Sequence, residues 1–178
     1  LDLFRGELRK ESFSLLYIWF FRNIAYFGLN FSLPVLGSEV YTNFTLAAVS
    51  EVVANLLAAP IKSHMSRVKS LNLTCILVTI SCLMMVFFPI PDECYLEENS
   101  CYQKTFSVFF AITAKFAIAL FANILITYTS EVYPTEVRAQ GVFLSMQASK
   151  IGTIVMPIMV HYVQDTNYNP LVAFGIMG

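Results

Sequence analysis

The chain has 178 residues, 57% of them apolar and 13% charged, with a mean hydropathy of +0.64 and a formal net charge of −1. A soluble domain carries about 25% charged residues, so this shortage of charge points to lipid as the solvent and excludes an ordinary water-soluble globule. Near-neutral charge offers no basic surface, which excludes nucleic acid as a partner. The sequence opens on Leu1 with no charged leader and stops at Gly178 inside a newly begun apolar run. It is expected to be a piece of a longer protein.

A spanning helix needs about 20 mainly apolar residues. Residues 1–13 form a polar lead-in, followed by spans at 14–36, 42–61, 71–90, 105–128 and 140–162, and a sixth beginning near Pro170. The connections are short and polar and leave no room for a soluble domain. Pro34, Pro60 and Pro157 fall near the expected helix ends, where a lost backbone hydrogen bond is tolerated. The fold class is an all-α membrane bundle.

Alternation of the loops separates the charges. Arg5, Arg9, Lys10, Lys62, Arg67, Lys69 and Arg138 gather on one side, and Glu39, Asp92, Glu93, Glu97, Glu98 and Asp165 on the other, with Lys104 among them. Positive charge marks cytosolic loops, so the lead-in faces the cytosol and the 91–104 loop is external. Cys94 and Cys101 lie in that external loop, where a disulfide and two free thiols are both open. Cys75 and Cys82 sit in an apolar helix as packing residues. No cluster has metal-ligand spacing, and no cofactor is expected. Asn43-Phe44-Thr45 matches a glycosylation sequon but lies too close to the membrane to count.

Four ionisable residues fall inside spans: Arg22, Glu51, Lys115 and Lys150. Each costs about 2.5–3.5 kcal/mol at a helix centre, so each is expected to face a cavity or a partner. Helical rise places Glu51, Lys115 and Lys150 near mid-depth and Arg22 nearer the cytosolic third. Trp19, Arg22, Tyr26 and Leu33 share one face of the first span, and Glu51 and Asn55 are neighbours one turn apart. Lys115, Ala119, Ala122, Asn123 and Ile126 form a stripe in the fourth span, as do Gln147, Lys150, Ile154 and Pro157 in the fifth. Aromatics, amides and opposite charges at one depth suit a water-accessible solute cavity. The plainer reading is an ion pair of Glu51 with Lys115 or Lys150 that holds the helices together.

The loop Tyr128-Thr129-Ser130-Glu131-Val132-Tyr133-Pro134-Thr135, running on to Arg138 and Gly141, separates two of the apolar segments. It resembles the loop after the tenth helix of major facilitator transporters, in wording closest to the organic cation/anion/carnitine branch. Weaker resemblances extend over nearly the whole chain: Asp2-Leu3-Phe4-Arg5, Trp19-Phe20 with Tyr26-Phe27-Gly28-Leu29, Tyr41-Thr42-Asn43-Phe44, Ala114-Lys115-Phe116 and Lys150-Ile151-Gly152. The resemblance implies that residues 14–178 form the C-terminal six-helix bundle of such a carrier, with the N-terminal bundle lying outside this chain. It places Trp19, Tyr26, Glu51, Asn123 and Lys150 at pocket positions. Cation carriers of the branch have Asp at the Lys150 position and anion carriers have Arg, which implies an organic anion or zwitterion as substrate. It also implies a cytosolic gate latched by Glu131 and Arg138. At the gate after the eighth helix the family shows D-R-x-G-R, where this chain reads Ser63-His64-Met65-Ser66-Arg67, keeping Arg67 alone.

The expected function is transport of a small organic ion across a bilayer, the plasma membrane by family resemblance, through alternating access. The expected substrate-binding residues are Trp19, Arg22, Tyr26, Glu51, Asn55, Lys115, Asn123 and Lys150, with Arg67, Glu131 and Arg138 as gating residues. The alternative, motivated by the altered gate, is a non-transporting subunit or receptor that retains the fold. No nucleophile–base pair or phosphate-cradling loop points to an enzyme.

Overall fold

The computed structural model describes residues 8–36, 40–87 and 102–165. Helix α1 runs Leu8–Ser32 and ends in a 3₁₀ turn, Leu33–Leu36. Then come α2 (Val40–His64), α3 (Arg67–Phe87), α4 (Tyr102–Val132) and α5 (Arg138–Asp165). The described residues contain no strand. The expected sixth span, the 91–101 part of the external loop and both Cys94 and Cys101 lie outside the described residues. Every helix begins two to six residues before its expected start, because polar residues such as Arg67 and Arg138 open the first turn. Pro60 and Pro157 lie inside helices that continue past them. Neither proline ends its helix, which a membrane helix tolerates when neighbours re-satisfy the freed carbonyl.

Among the described residues, four helices are long and apolar enough to cross a membrane: α2, α3 (Arg67–Met85), α4 (Thr105–Val132) and α5 (Arg138–Tyr162). The 25-residue α1 matches α2 in length. It falls short in apolar content because Arg9, Lys10, Glu11, Arg22, Asn23 and Asn30 lie along it. Cross-helix bonds set the directions. Trp19 meets Thr129, Asn23 meets Ser149, and Glu51 meets Lys115. Helices α1 and α5 therefore run parallel, opposed to the parallel pair α2 and α4. Arg67 meets Glu131, so α3 starts where α4 ends. Lys62, Arg67 and Arg138 consequently share one end, as the loop charges require.

Helix α4 is the centre on which α1, α2 and α3 pack, while α5 packs mainly on α1, and small side chains let the helices close in. Ala54 and Ala58 of α2 meet Ala119 and Leu120. Val78, Cys82 and Met85 of α3 join Leu29, Leu33, Ala111, Ala114 and Ile118. Leu15 and Trp19 of α1 close on Leu125 and Tyr133 at the basic end. Two buried hydroxyls of α3 satisfy themselves locally, Thr74 donating to the Ser70 carbonyl at 2.9 Å and Ser81 to that of Leu77 at 2.8 Å, while the buried Ser70 hydroxyl has no hydrogen-bond partner among the described residues. The outer surface is greasy, with Val52, Leu56, Ile76, Ile80, Phe143 and Ile154 all exposed. Lipid is the solvent that tolerates such a surface. Asn43 of the sequon is buried within the first turn of α2, in no position to carry a glycan.

Glycine decides two close approaches. A Cβ on Gly152 would meet the Phe20 carbonyl oxygen at 2.8 Å, and one on Gly141 would meet the Tyr133 ring at 2.5 Å. The first contact is with backbone that cannot step aside, so α1 and α5 would be pushed apart. Gly152→Leu is expected to cost about 1–3 kcal/mol, read as a lower melting temperature of the purified full-length protein. Exposed Ile151→Ala, one residue away, is expected to stay within about 0.5 kcal/mol of the parent.

Candidate functional site

Lys115 sits near the middle of α4 and is 1% exposed. Its ammonium group meets the Glu51 carboxylate at 2.7 Å, the Asn30 amide oxygen at 2.7 Å and the Tyr26 ring, whose centroid is 3.8 Å away. Those three partners match the three N–H directions of an ammonium, so a charge in the membrane interior is fully paired. Glu51 is less enclosed, with 28% of its side chain exposed, and its second oxygen accepts from the Tyr26 hydroxyl at 3.4 Å. Three helices thus meet through four side chains at one depth: Tyr26 and Asn30 from α1, Glu51 from α2, Lys115 from α4. Tyr26 and Asn30 can share Lys115 because they are one turn apart.

One turn along α2 from Glu51, exposed Asn55 accepts from Asn123 at 2.6 Å, and Asn123 also donates to the Ala119 carbonyl at 2.9 Å. Farther along the same seam Lys62 donates to Thr127 at 3.2 Å. The polar contacts between α2 and α4 therefore extend from mid-depth to the basic end. Arg22 lies one turn before Tyr26 on α1, its guanidinium carbon 5.4 Å from the ring centroid. One of its terminal nitrogens donates to the Asn23 side-chain oxygen at 3.1 Å.

Several sequence expectations change. Trp19, expected to face a solute, is buried and donates its indole N–H to Thr129 at 3.1 Å. An indole enclosed by Leu15, Leu125 and Tyr133 is helix packing. Lys150 does not join Glu51 and Lys115. It is exposed, on the opposite side of α5 from Ser145, Ser149 and Gly152, the buried residues. The helical period, applied within α5, grouped Lys150 into a stripe but could not say which face α1 would cover. The expected latch also re-pairs. Glu131 is joined to Arg67 at 3.0 Å, whereas Arg138 donates to the Tyr133 carbonyl at 3.3 Å. The turn at 134–137, with Val137 N–H bonded to the Pro134 carbonyl, faces Arg138 back onto its own loop. Arg67 also donates to the Lys62 carbonyl, which ties the shortened gate loop to its guanidinium.

Two polar residues escaped the sequence reading. Asn30 completes the Lys115 shell, and its place four residues after Tyr26 was the available signal. Asn23 is buried and donates to the Ser149 carbonyl at 2.6 Å and the Thr153 hydroxyl at 2.5 Å, pinning α1 to α5. No group of three metal-ligating side chains occurs among the described residues. A groove of about 460 Å³ opens at the basic end between Ser130, Arg138, Val142, Phe143 and Met146, away from the Glu51–Lys115 pair.

Removal of one member of the central pair strands the other. Lys115→Met is expected to destabilise by about 3 kcal/mol or more, while the double variant Lys115→Met/Glu51→Gln recovers most of that loss. Thermal denaturation of the full-length protein in detergent checks both. Equal losses in the single and double variants would show that the two side chains are not coupled.

The pattern of matches to known proteins agrees with this architecture. The family described as Major Facilitator Superfamily matches residues 2–157. The chain is 29% identical to the beta-alanine transporter of Drosophila melanogaster over 99% of its own length and 27% of the relative's. It is 29% identical to human organic cation/carnitine transporter 2 over 98% of the chain and 30% of the relative. It is 33% identical to mouse solute carrier family 22 member 21 over 90% of the chain and 27% of the relative. The chain thus spans less than a third of the length of these relatives. It belongs to the major facilitator superfamily, is an integral multi-pass membrane protein, and has organic cation/carnitine transporters among its relatives.

Proposed function

We propose, from that membership, that the intact protein carries a small organic ion across the plasma membrane and that this chain forms one wall of the path. The second wall is an N-terminal bundle outside the chain, and rocking of one bundle against the other opens the path alternately to each side. The observation that carries the reading is the charge balance at mid-depth. Glu51 is already neutralised by Lys115 at 2.7 Å. Neither Arg22 nor Lys150 has a carboxylate partner among the described residues. A positive excess in a low-dielectric wall favours a solute with an anionic group, so an anion or zwitterion is the preferred cargo. Beta-alanine and carnitine, which appear in the names of two relatives, are both zwitterions at neutral pH.

The relatives are transporters, and an enzymatic role has no support among them. The alternative of a non-transporting subunit draws on the replaced residues Ser63 to Ser66. The Arg67–Glu131 pair weighs against it, because it links α3 to the end of α4 where the replaced carboxylate would otherwise be missed. As a partly exposed pair it contributes at most about 1 kcal/mol. That is small for stability but enough to bias two conformations by several-fold.

Uptake assays on the full-length protein in cells or proteoliposomes test the reading. Wild type is expected to favour anionic or zwitterionic solutes over cations of equal size. Lys150→Ala is expected to reduce that preference roughly tenfold, the effect of about 1.4 kcal/mol of lost electrostatic attraction. Absence of uptake for every organic ion class would leave the non-transporting alternative.

A further inference from the structure

The cluster around Tyr26 is one negative charge short. Arg22 and Lys115 both approach the Tyr26 ring, at 5.4 Å and 3.8 Å from its centroid, while Glu51 is the carboxylate within reach. That carboxylate is taken, since Lys115 holds one oxygen and the Tyr26 hydroxyl the other. Arg22 forms no ion pair among the described residues. The remaining carboxylates whose side chains are described, Glu11, Glu131 and Glu136, sit at the basic helix ends, far along the helices from Arg22. Of its donors, a terminal nitrogen is spent on Asn23, and the Nε–H is buried with no hydrogen-bond partner. A guanidinium is always charged and presents Nε–H and Nη–H as a planar fork shaped for two oxygens. Arg22 is half-buried, one donor of the fork is unsatisfied, and no described acidic side chain pairs with it.

We propose that Arg22 is the docking point for a carboxylate of the solute, received through its planar fork and beside the Tyr26 ring. The inference rests on the transport reading and deepens it. Lys150, on a different face of α5, adds attraction from a distance, while Arg22 makes the direct contact. The same geometry fixes the ligand class: a planar oxyanion such as a carboxylate engages a fork in two bonds, whereas a neutral amide of the same shape offers one oxygen and no charge. The Glu51–Lys115 pair stays intact as the rigid neighbour that keeps Tyr26 in place.

The test uses purified full-length protein with benzoate and benzamide as probes, read by thermal stabilisation and by titration of binding. Benzoate is expected to raise the melting temperature of the wild type, and benzamide to leave it unchanged. Arg22→Gln is expected to weaken benzoate binding roughly tenfold or more, the loss of a charge-assisted pair. Arg22→Lys keeps the charge without the fork, so it is expected to retain preference for benzoate over benzamide with weaker affinity. That variant keeps the question answerable if the glutamine substitution does not fold. Wild-type affinity in Arg22→Gln, or equal responses to the two probes in the wild type, would overturn the proposal. So would a wild type indifferent to benzoate combined with destabilised Arg22→Gln, because Arg22 would then be neutralised by an acidic side chain elsewhere in the protein. Uptake measured alongside separates the two readings: benzoate bound through Arg22 but never carried ends the transport reading and leaves the docking point standing.

Discussion

A lysine ammonium held between a carboxylate, an amide and a tyrosine ring, in the middle of helices that lipid surrounds, is the constraint on which the bundle depends. Hydrocarbon gives no hydration to a stray charge, so Lys115 must be met on every side by other helices. Meeting it fixes the relative rotation of α1, α2 and α4 at one depth. Once that depth is fixed, the seams above and below follow from small residues that let backbones approach. Ala54 and Ala58 close the α2–α4 seam. Gly152 brings α5 within contact of the Phe20 carbonyl.

Polar contacts are distributed unevenly among the seams. The seam between α2 and α4 carries a succession of them, from Glu51 with Lys115 through Asn55 with Asn123 to Lys62 with Thr127. The seam between α1 and α5 has Asn23 bridging to Ser149 and Thr153. The buried face of α3 instead carries short hydroxyl side chains, of which Thr74 and Ser81 bond back to their own helix. Helices joined mainly by apolar and self-satisfied side chains move as one body. Helices joined by bonds that water could replace are suited to line a path for a polar solute. That division is why the charges at mid-depth, rather than the groove at the basic end, carry the functional argument.

Electrostatics then connect packing to cargo. Pairing of Glu51 with Lys115 removes the negative charge that would have favoured a cation. Among the described residues, the charges inside the helices that lack a carboxylate partner are positive, on Arg22 and Lys150. In a low-dielectric wall a single uncompensated charge outweighs several neutral hydrogen bonds in selecting an ion. The proposed preference for an anionic group rests on which carboxylate is already occupied, and a count of charges along the chain does not reveal it.

Membrane insertion and the order of the described helices were legible in the sequence. Hydropathy over about 20 residues and the rise of a helix are local quantities, and the chain carries them in every segment. The ending of α4 near Pro134 was legible for the same reason, since a proline and its neighbours act on their own backbone. Partner choice was not local. Whether Glu51 takes Lys115 or Lys150, whether Glu131 takes Arg138 or Arg67, and whether Trp19 faces a solute or a leucine depends on how helices rotate about their axes. A period of 3.6 residues marks a face without naming what covers it. Only the packing of α1 and α2 on α4, and of α5 on α1, decided those pairings, because an ion pair in lipid forms where two helices bring opposite charges to the same depth and the same side.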